Sequence, residues 1–180
     1  MGSRPVGGRA ARGASGRADL AEAFREAFAG HPGGVAIITA AGPRGPVGLT
    51  ASSVISVSAT PPTLAFSLSS VRGSAGALLT AEVLAVHLLS SGHEDLARLF
   101  SGPGSDRFGP GTGWDRAPTG EPLLAGPEVI LRCRVLSRTP VAGSTIVAAQ
   151  VVDILGPGTT AGPRQLPLVH YRRGYHRLEG

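Results

Sequence analysis

The stretch Val47-Gly48-Leu49-Thr50-Ala51-Ser52-Ser53-Val54-Ile55-Ser56-Val57-Ser58, followed by Pro61-Pro62 and Thr63-Leu64-Ala65-Phe66-Ser67-Leu68-Ser69, decides the fold class. Apolar, β-branched and hydroxyl side chains fill Val47–Ser58, and that predicts one long strand. The two prolines cannot donate to a ladder, so they break the chain before a further strand over Thr63–Ser69. Upstream, Val35–Thr39 reads as the first strand, and Gly42-Pro43-Arg44-Gly45-Pro46 as the turn that joins it to the long one.

Working outward, residues 74–81 have helical composition and Glu82–Leu89 returns to strand. His93–Phe100 reads as a short helix, with Leu96, Leu99 and Phe100 as its apolar contacts. Residues 101–127 form a long Gly/Pro-rich connection carrying Phe108 and Trp114, and connections of that length tend to be functional or mobile. Val129–Leu136 and Thr145–Leu155 form a hairpin around Arg138–Ser144, and Leu166–Val169 is a last strand before Tyr171-Arg172-Arg173-Gly174-Tyr175. At the other end, Asp19 reads as an N-cap with Glu22 behind it, and Leu20, Phe24 and Phe28 make one stripe of a helix. Gly30 and Pro32 stop that helix, whose stripe is expected to cover a barrel end or meet a partner subunit. About six strands with short helices and no βαβ alternation predict a mostly β, antiparallel Greek-key barrel.

A chain of 180 residues, 42% hydrophobic and 16% charged, suits one domain with one core. The net charge of +5 is local in origin. Residues 1–18 carry Arg4, Arg9, Arg12 and Arg17 without an acid, leaving residues 19–180 near +1. That leader reads as a disordered tail, with a phosphate-binding arm as the alternative, and it lacks the apolar core of a secretory signal. Residues 19–180 are then the folded domain. No apolar run reaches the ~20 residues of a membrane-spanning helix. A cytoplasmic protein without membrane or nucleic-acid partners is expected. A nucleic-acid-binding barrel would need basic and aromatic residues interleaved on a strand face, and aromatics are only 4% of the chain. Cys133 stands alone and reads as a buried small hydrophobe. The chain has no Lys, which removes Schiff-base and P-loop lysine chemistry. His31, His87, His93, His170 and His176 lack metal-site spacing, and no G-x-S-x-G elbow is present.

Gly48 to Val54, then Ser56-Val57-Ser58, Pro61-Pro62 and Leu64 to Leu68, resemble the flavin reductase-like family with an FMN-binding split barrel. Further matches follow in order: Pro32-Gly33-Gly34-Val35, Leu84 to Leu89, Ala97 to Phe100, Phe108 with Trp114, and Pro167 to Tyr171. The nearest likeness is to the reductase components of two-component flavin-dependent monooxygenases. The resemblance implies an NAD(P)H:flavin oxidoreductase that reduces free FAD or FMN and supplies it to a partner monooxygenase, with NADH favoured. It implies a homodimer that completes the flavin site across its interface. The cofactor residues implied are Thr50, Ala51, Ser52, Ser53, Ser67 and Leu68 along the ring, Ser74 at the phosphate, and His87 and Phe100, the last as a flavin wall or a core side chain. Their chemistry fits: hydroxyls and backbone N–H groups crowd Thr50–Ser53, and the helix expected at Ser74 opens with an N-terminus that favours an anion.

Two departures separate the chain from the pattern, the lesser being His87, where the family commonly carries Asn. Where the family carries Gly-Asp-His-Thr, with the His facing the nicotinamide, this chain has Ala142-Gly143-Ser144-Thr145. Hydride transfer between stacked rings needs proximity and orientation, so no catalytic residue is required there. Ser144 also favours the alternative function, a flavin-binding electron-transfer or oxidase protein with no use for NADH.

Overall fold

Thirteen residues of β9 (Val129–Val141) and twelve of β10 (Ser144–Leu155) make the longest hairpin, and the other main-sheet strands assemble around it. The computed structural model describes residues 16–69, 72–102, 106–156 and 165–178. In chain order the remaining elements begin with α1 (Gly16–Ala29), β1 (Gly33–Gly34), β2 (Ala36–Gly42), β3 (Gly45–Ala51) and β4 (Ile55–Ala59). Next come β5 (Pro62–Leu68), α2 (Gly73–Leu78), β6 (Val83–Leu88) and α3 (Glu94–Ser101). The last are β7 (Trp114–Arg116), β8 (Pro122–Leu124), β11 (Leu168–Tyr171) and β12 (Gly174–Arg177).

The main sheet is antiparallel with strand order β3-β2-β6-β9-β10-β5-β4. Its two edge strands, β3 and β4, are consecutive in the chain and separated only by Ser52-Ser53-Val54. Edges joined by so short a crossing must lie side by side, so the sheet curls into a barrel that stays unzipped along one seam. The result is a mostly β split barrel.

Inside it, Ile38, Leu64, Phe66, Leu68, Leu84, Val86 and Val147 form the core, and α2 plugs it with Ala75 and Leu78. A second apolar layer lies outside β2, where Val35 and Ile37 meet Ala97 and Phe100 of α3, Leu124 of β8 and Leu168 of β11. Strand β2 is therefore buried on both faces, which is why it reads as a continuous apolar run.

Several expectations are corrected here. The single strand over Val47–Ser58 is two strands, because the chain changes sheet edge at Ser52–Val54. Counted as one, β3 and β4 bring the seven strands of the main sheet to the expected six. The hairpin turn shrinks from Arg138–Ser144 to Ala142-Gly143, whose φ values of 45° and 86° allow a two-residue turn, so the ladder runs on to Val141. The connection after α3 contains the small hairpin β7–β8, and the C-terminal basic stretch forms the hairpin β11–β12. Helix α1 begins at Gly16, ahead of Asp19, and its stripe covers no barrel end: Leu20, Phe24 and Phe28 are 70%, 61% and 59% exposed. The leader expected over 1–18 falls mostly on residues 1–15, outside the described residues. Among the described residues no helix is long and apolar enough to cross a membrane.

Candidate functional site

Side chains alternate along β3, and the alternation sorts the expected ledge. Val47, Leu49 and Ala51 pack on the barrel core, whereas Gly48 and Thr50 face α3. The Thr50 hydroxyl donates to the Ala97 carbonyl at 2.7 Å. Ser53 Oγ accepts from the Ser67 N–H at 3.1 Å and lies 3.3 Å from the Ser67 carbonyl, so it latches the crossing to β5. Two of the three ledge hydroxyls therefore hold the fold. Ser52 is exposed and its hydroxyl has no partner among the described residues. The backbone of Ser52–Val54 lies outside the ladders, between the end of β3 and the start of β4. Gly33 of β1 runs close beneath: a Cβ there would come within 2.9 Å of the Ser52 carbonyl oxygen.

The far side of the seam is β5. Ser67 is exposed and Leu68 is buried, and they pair with Ile146 and Thr145 of β10. That register carries Ser144, just behind the hairpin turn, to the same end of the barrel as Ser53 and Ser67. Ser74, in the first turn of α2, is half-buried, and its hydroxyl accepts from Arg107 Nη1 at 2.7 Å. Arg107 also donates to the carbonyls of Gly48 (2.8 Å) and Gly102 (2.6 Å), stapling α2 to the free edge of β3. Its Nε is buried without a partner. Sequence reasoning missed Arg107; its only signal was its position beside Phe108 in the long connection.

His87 and Phe100 do not belong to the seam. His87 is fully buried between β2 and β8: the Leu124 N–H donates to Nε2 at 3.0 Å, so Nδ1 carries the proton and donates to the Ile37 carbonyl at 3.1 Å. Burial pushes this imidazole down to about 4, against a backbone hydrogen bond that opposes the shift. Phe100 has no exposed surface and stands over Gly48, where a Cβ would come within 2.8 Å of the ring. His87, expected at the cofactor, is corrected to a core position because both ring nitrogens are satisfied inside the protein, and of the two readings of Phe100 its place is that of a core side chain. Cys133 is buried, and burial pushes its thiol up to about 12, consistent with a small hydrophobe. Burial of Glu121 opposes its ionisation, but hydrogen bonds from Thr119 and Arg132 outweigh that and hold the carboxyl below its ordinary range. It is a structural ion pair. No cluster that could hold a metal occurs among the described residues.

The seam thus offers backbone outside the ladders and an exposed hydroxyl at the Ser52–Val54 crossing, with the Ser74–Arg107 pair farther along the free edge of β3. That donor set fits the polar rim of a flavin ring and its anionic tail, and with this fold it defines a flavin-binding split barrel. The family model for the flavin reductase like domain matches residues 28–179, and the chain belongs to that family. It is 35% identical over 161 residues to the FMN reductase (NADH) RutF of Ancylobacter novellus, covering 88% of this chain and 86% of the relative. Among solved structures it resembles the Streptomyces globisporus NADH:FAD oxidoreductase SgcE6, in complex with NAD and FAD fragments, at a TM-score of 0.78 and 26% identity over 89% of this chain and 94% of that one. It also resembles the styrene monooxygenase flavin reductase of Pseudomonas putida, at a TM-score of 0.73 and 28% identity over 85% and 95%.

Proposed function

We propose that the protein is an NADH-dependent reductase of FMN or FAD that hands the reduced flavin to a separate monooxygenase. The observation that carries this reading is the open seam, where the Ser52–Val54 amides and the Ser52 hydroxyl stand free of the ladders. A bound flavin supplies a hydride-accepting ring, and NADH supplies the hydride. The chain's own part is to bind and orient. Ser52, Ser53 and Val54 present N–H donors to the polar edge of the ring, and Leu68 closes the apolar side of the seam. Ser74, held by Arg107, receives the phosphate. No side chain at the seam is needed as an acid or base, so catalysis rests on proximity. A small hydroxyl at Ser144 leaves room for a nicotinamide at the barrel end.

The working form is a homodimer in the cytoplasm. Ile55 and Ile146, 60% and 43% exposed, stand on the outer face beside the seam, where their β5 partners are Ala65 and Ser67. A second copy covering this apolar strip would exclude water from the ring. Anaerobic mixing with NADH and either flavin tests the activity: flavin absorbance bleaches far faster than without protein. Tight flavin binding with no NADH oxidation would select an electron carrier or oxidase instead, the reading Ser144 favours.

A further inference from the structure

A small hollow of about 210 Å³ opens at the Ser52 end of β3, where α3 and the β11–β12 hairpin meet the strand. Val35 gives it an apolar floor, and Thr50 and Ser101 line it with hydroxyls already spent on the Ala97 and Arg98 carbonyls. The other lining side chains are Ser52, His170 and Tyr175, and none of the three makes a hydrogen bond among the described residues. His170 differs in this from His87, His93 and His176, whose rings are tied to Ile37 and Leu124, to Ser90, and to the Tyr171 carbonyl. It is half-buried all the same. Strand register puts it there, because His170 of β11 lies opposite Gly33 of β1. Directly opposed residues share one face, and a Cβ on Gly33 would point to within 2.9 Å of the Ser52 carbonyl oxygen. The imidazole therefore stands on the face that Ser52 crosses, and Gly33 sets no side chain between them. Tyr175 holds it from behind, edge to face with centroids 5.8 Å apart, and Arg98, clamped by Glu94 at 2.7 Å, covers the Tyr175 ring at 5.3 Å.

Three polar groups without partners on one hollow ask for a ligand that accepts. An imidazole keeps an N–H in either tautomer, and Tyr175 and Ser52 add hydroxyls. The volume falls below the ~300–1,000 Å³ of a site that encloses a whole ligand, so the hollow takes one edge of a flat ring whose remainder lies over the seam. We infer that His170 donates to the N1–C2 carbonyl edge of the flavin ring and makes the protein hold reduced flavin more tightly than oxidised flavin. This rests on the reductase reading above. Hydride transfer breaks the C4–H bond of NADH, which leaves as NAD+, and forms an N5–H bond. The electron pair that moves with the hydride leaves negative charge on the N1–C2 carbonyl edge. A donor already fixed at that edge favours the charged ring over the neutral one, since hydrogen bonds to charged acceptors are about twice as strong. No proton leaves His170, whose part is to stabilise charge.

Anaerobic calorimetry of the full chain with oxidised FMN, and separately with dithionite-reduced FMN, reads both affinities without turnover. The wild-type chain binds the reduced form more tightly. His170→Phe keeps a ring against Tyr175 and removes the N–H, so it weakens reduced FMN about tenfold and oxidised FMN by no more than about threefold. His170→Gln restores a neutral donor and recovers part of the split, and it carries the test if the Phe variant does not fold. Equal weakening of both redox forms, or none, overturns the inference and makes His170 a wall residue; NADH oxidation by the wild-type chain then leaves the reductase reading standing. A wild-type chain that shows the split but oxidises no NADH overturns the reductase reading alone. A chain that binds neither form of FMN overturns both.

Discussion

Ser52 and Ser53 are neighbours of the same type with different tasks. Ser53 substitutes its hydroxyl for a ladder partner opposite Ser67, while Ser52 keeps its own free. Ser53→Ala should cost about 1 kcal/mol of stability, read by urea unfolding. Ser52→Ala should leave unfolding unchanged and weaken flavin binding several-fold in a fluorescence titration. His87 gives a separate prediction in pH. Its native pKa of about 4 lies below the ordinary 6.5, so below pH 6.5 the unfolded chain takes a proton that the native chain refuses. Stability is complete above pH 6.5 and is lost as the pH falls toward 4, by about 3 kcal/mol from this residue. Urea midpoints measured across that range check it, and His87→Gln should flatten the acid limb. The sequence shows a histidine in an apolar strand; that Ile37 and Leu124 satisfy both ring nitrogens depends on β2 and β8 meeting there.

At the scale of elements, β3 is held from three sides: by the β2 ladder, by α3 through Thr50 and Phe100, and by Arg107 at its free edge. Two glycines set how closely the layers approach. Gly48→Ala would push a methyl group into the Phe100 ring and should destabilise the fold by about 1–3 kcal/mol, seen in thermal melts. Gly33→Ala meets the Ser52 carbonyl instead, so it should displace the crossing and weaken flavin binding more than it lowers the melting temperature. The strands themselves were legible from residue type, because β-branched runs and Pro/Gly turns are local signals. The break at Ser52–Val54 was not, since no proline or glycine marks it. It arises because the sheet closes there, and closure is a long-range event.

For the whole molecule, the exposed apolar strip beside the seam predicts self-association. Light scattering should report a dimer, and Ile146→Asp should yield a folded monomer with weaker flavin binding. A wild-type chain that stays monomeric at working concentration would refute the dimer. The stripe on α1 adds apolar surface at the opposite end of the chain order, where Glu26 pairs with Arg173 and the Arg172 N–H caps the Ala29 carbonyl.

Residue types alone determined the β character of the chain, the order of most of its strands and the hydroxyl-rich segment at residues 50–53, because propensity and turn chemistry act between near neighbours. Tertiary structure decided which of those hydroxyls stay free, that His87 and Phe100 are interior, and that Arg107 reaches Ser74. Those outcomes depend on segments tens of residues apart being packed together, and no local pattern records which hydrogen-bond partner arrives first.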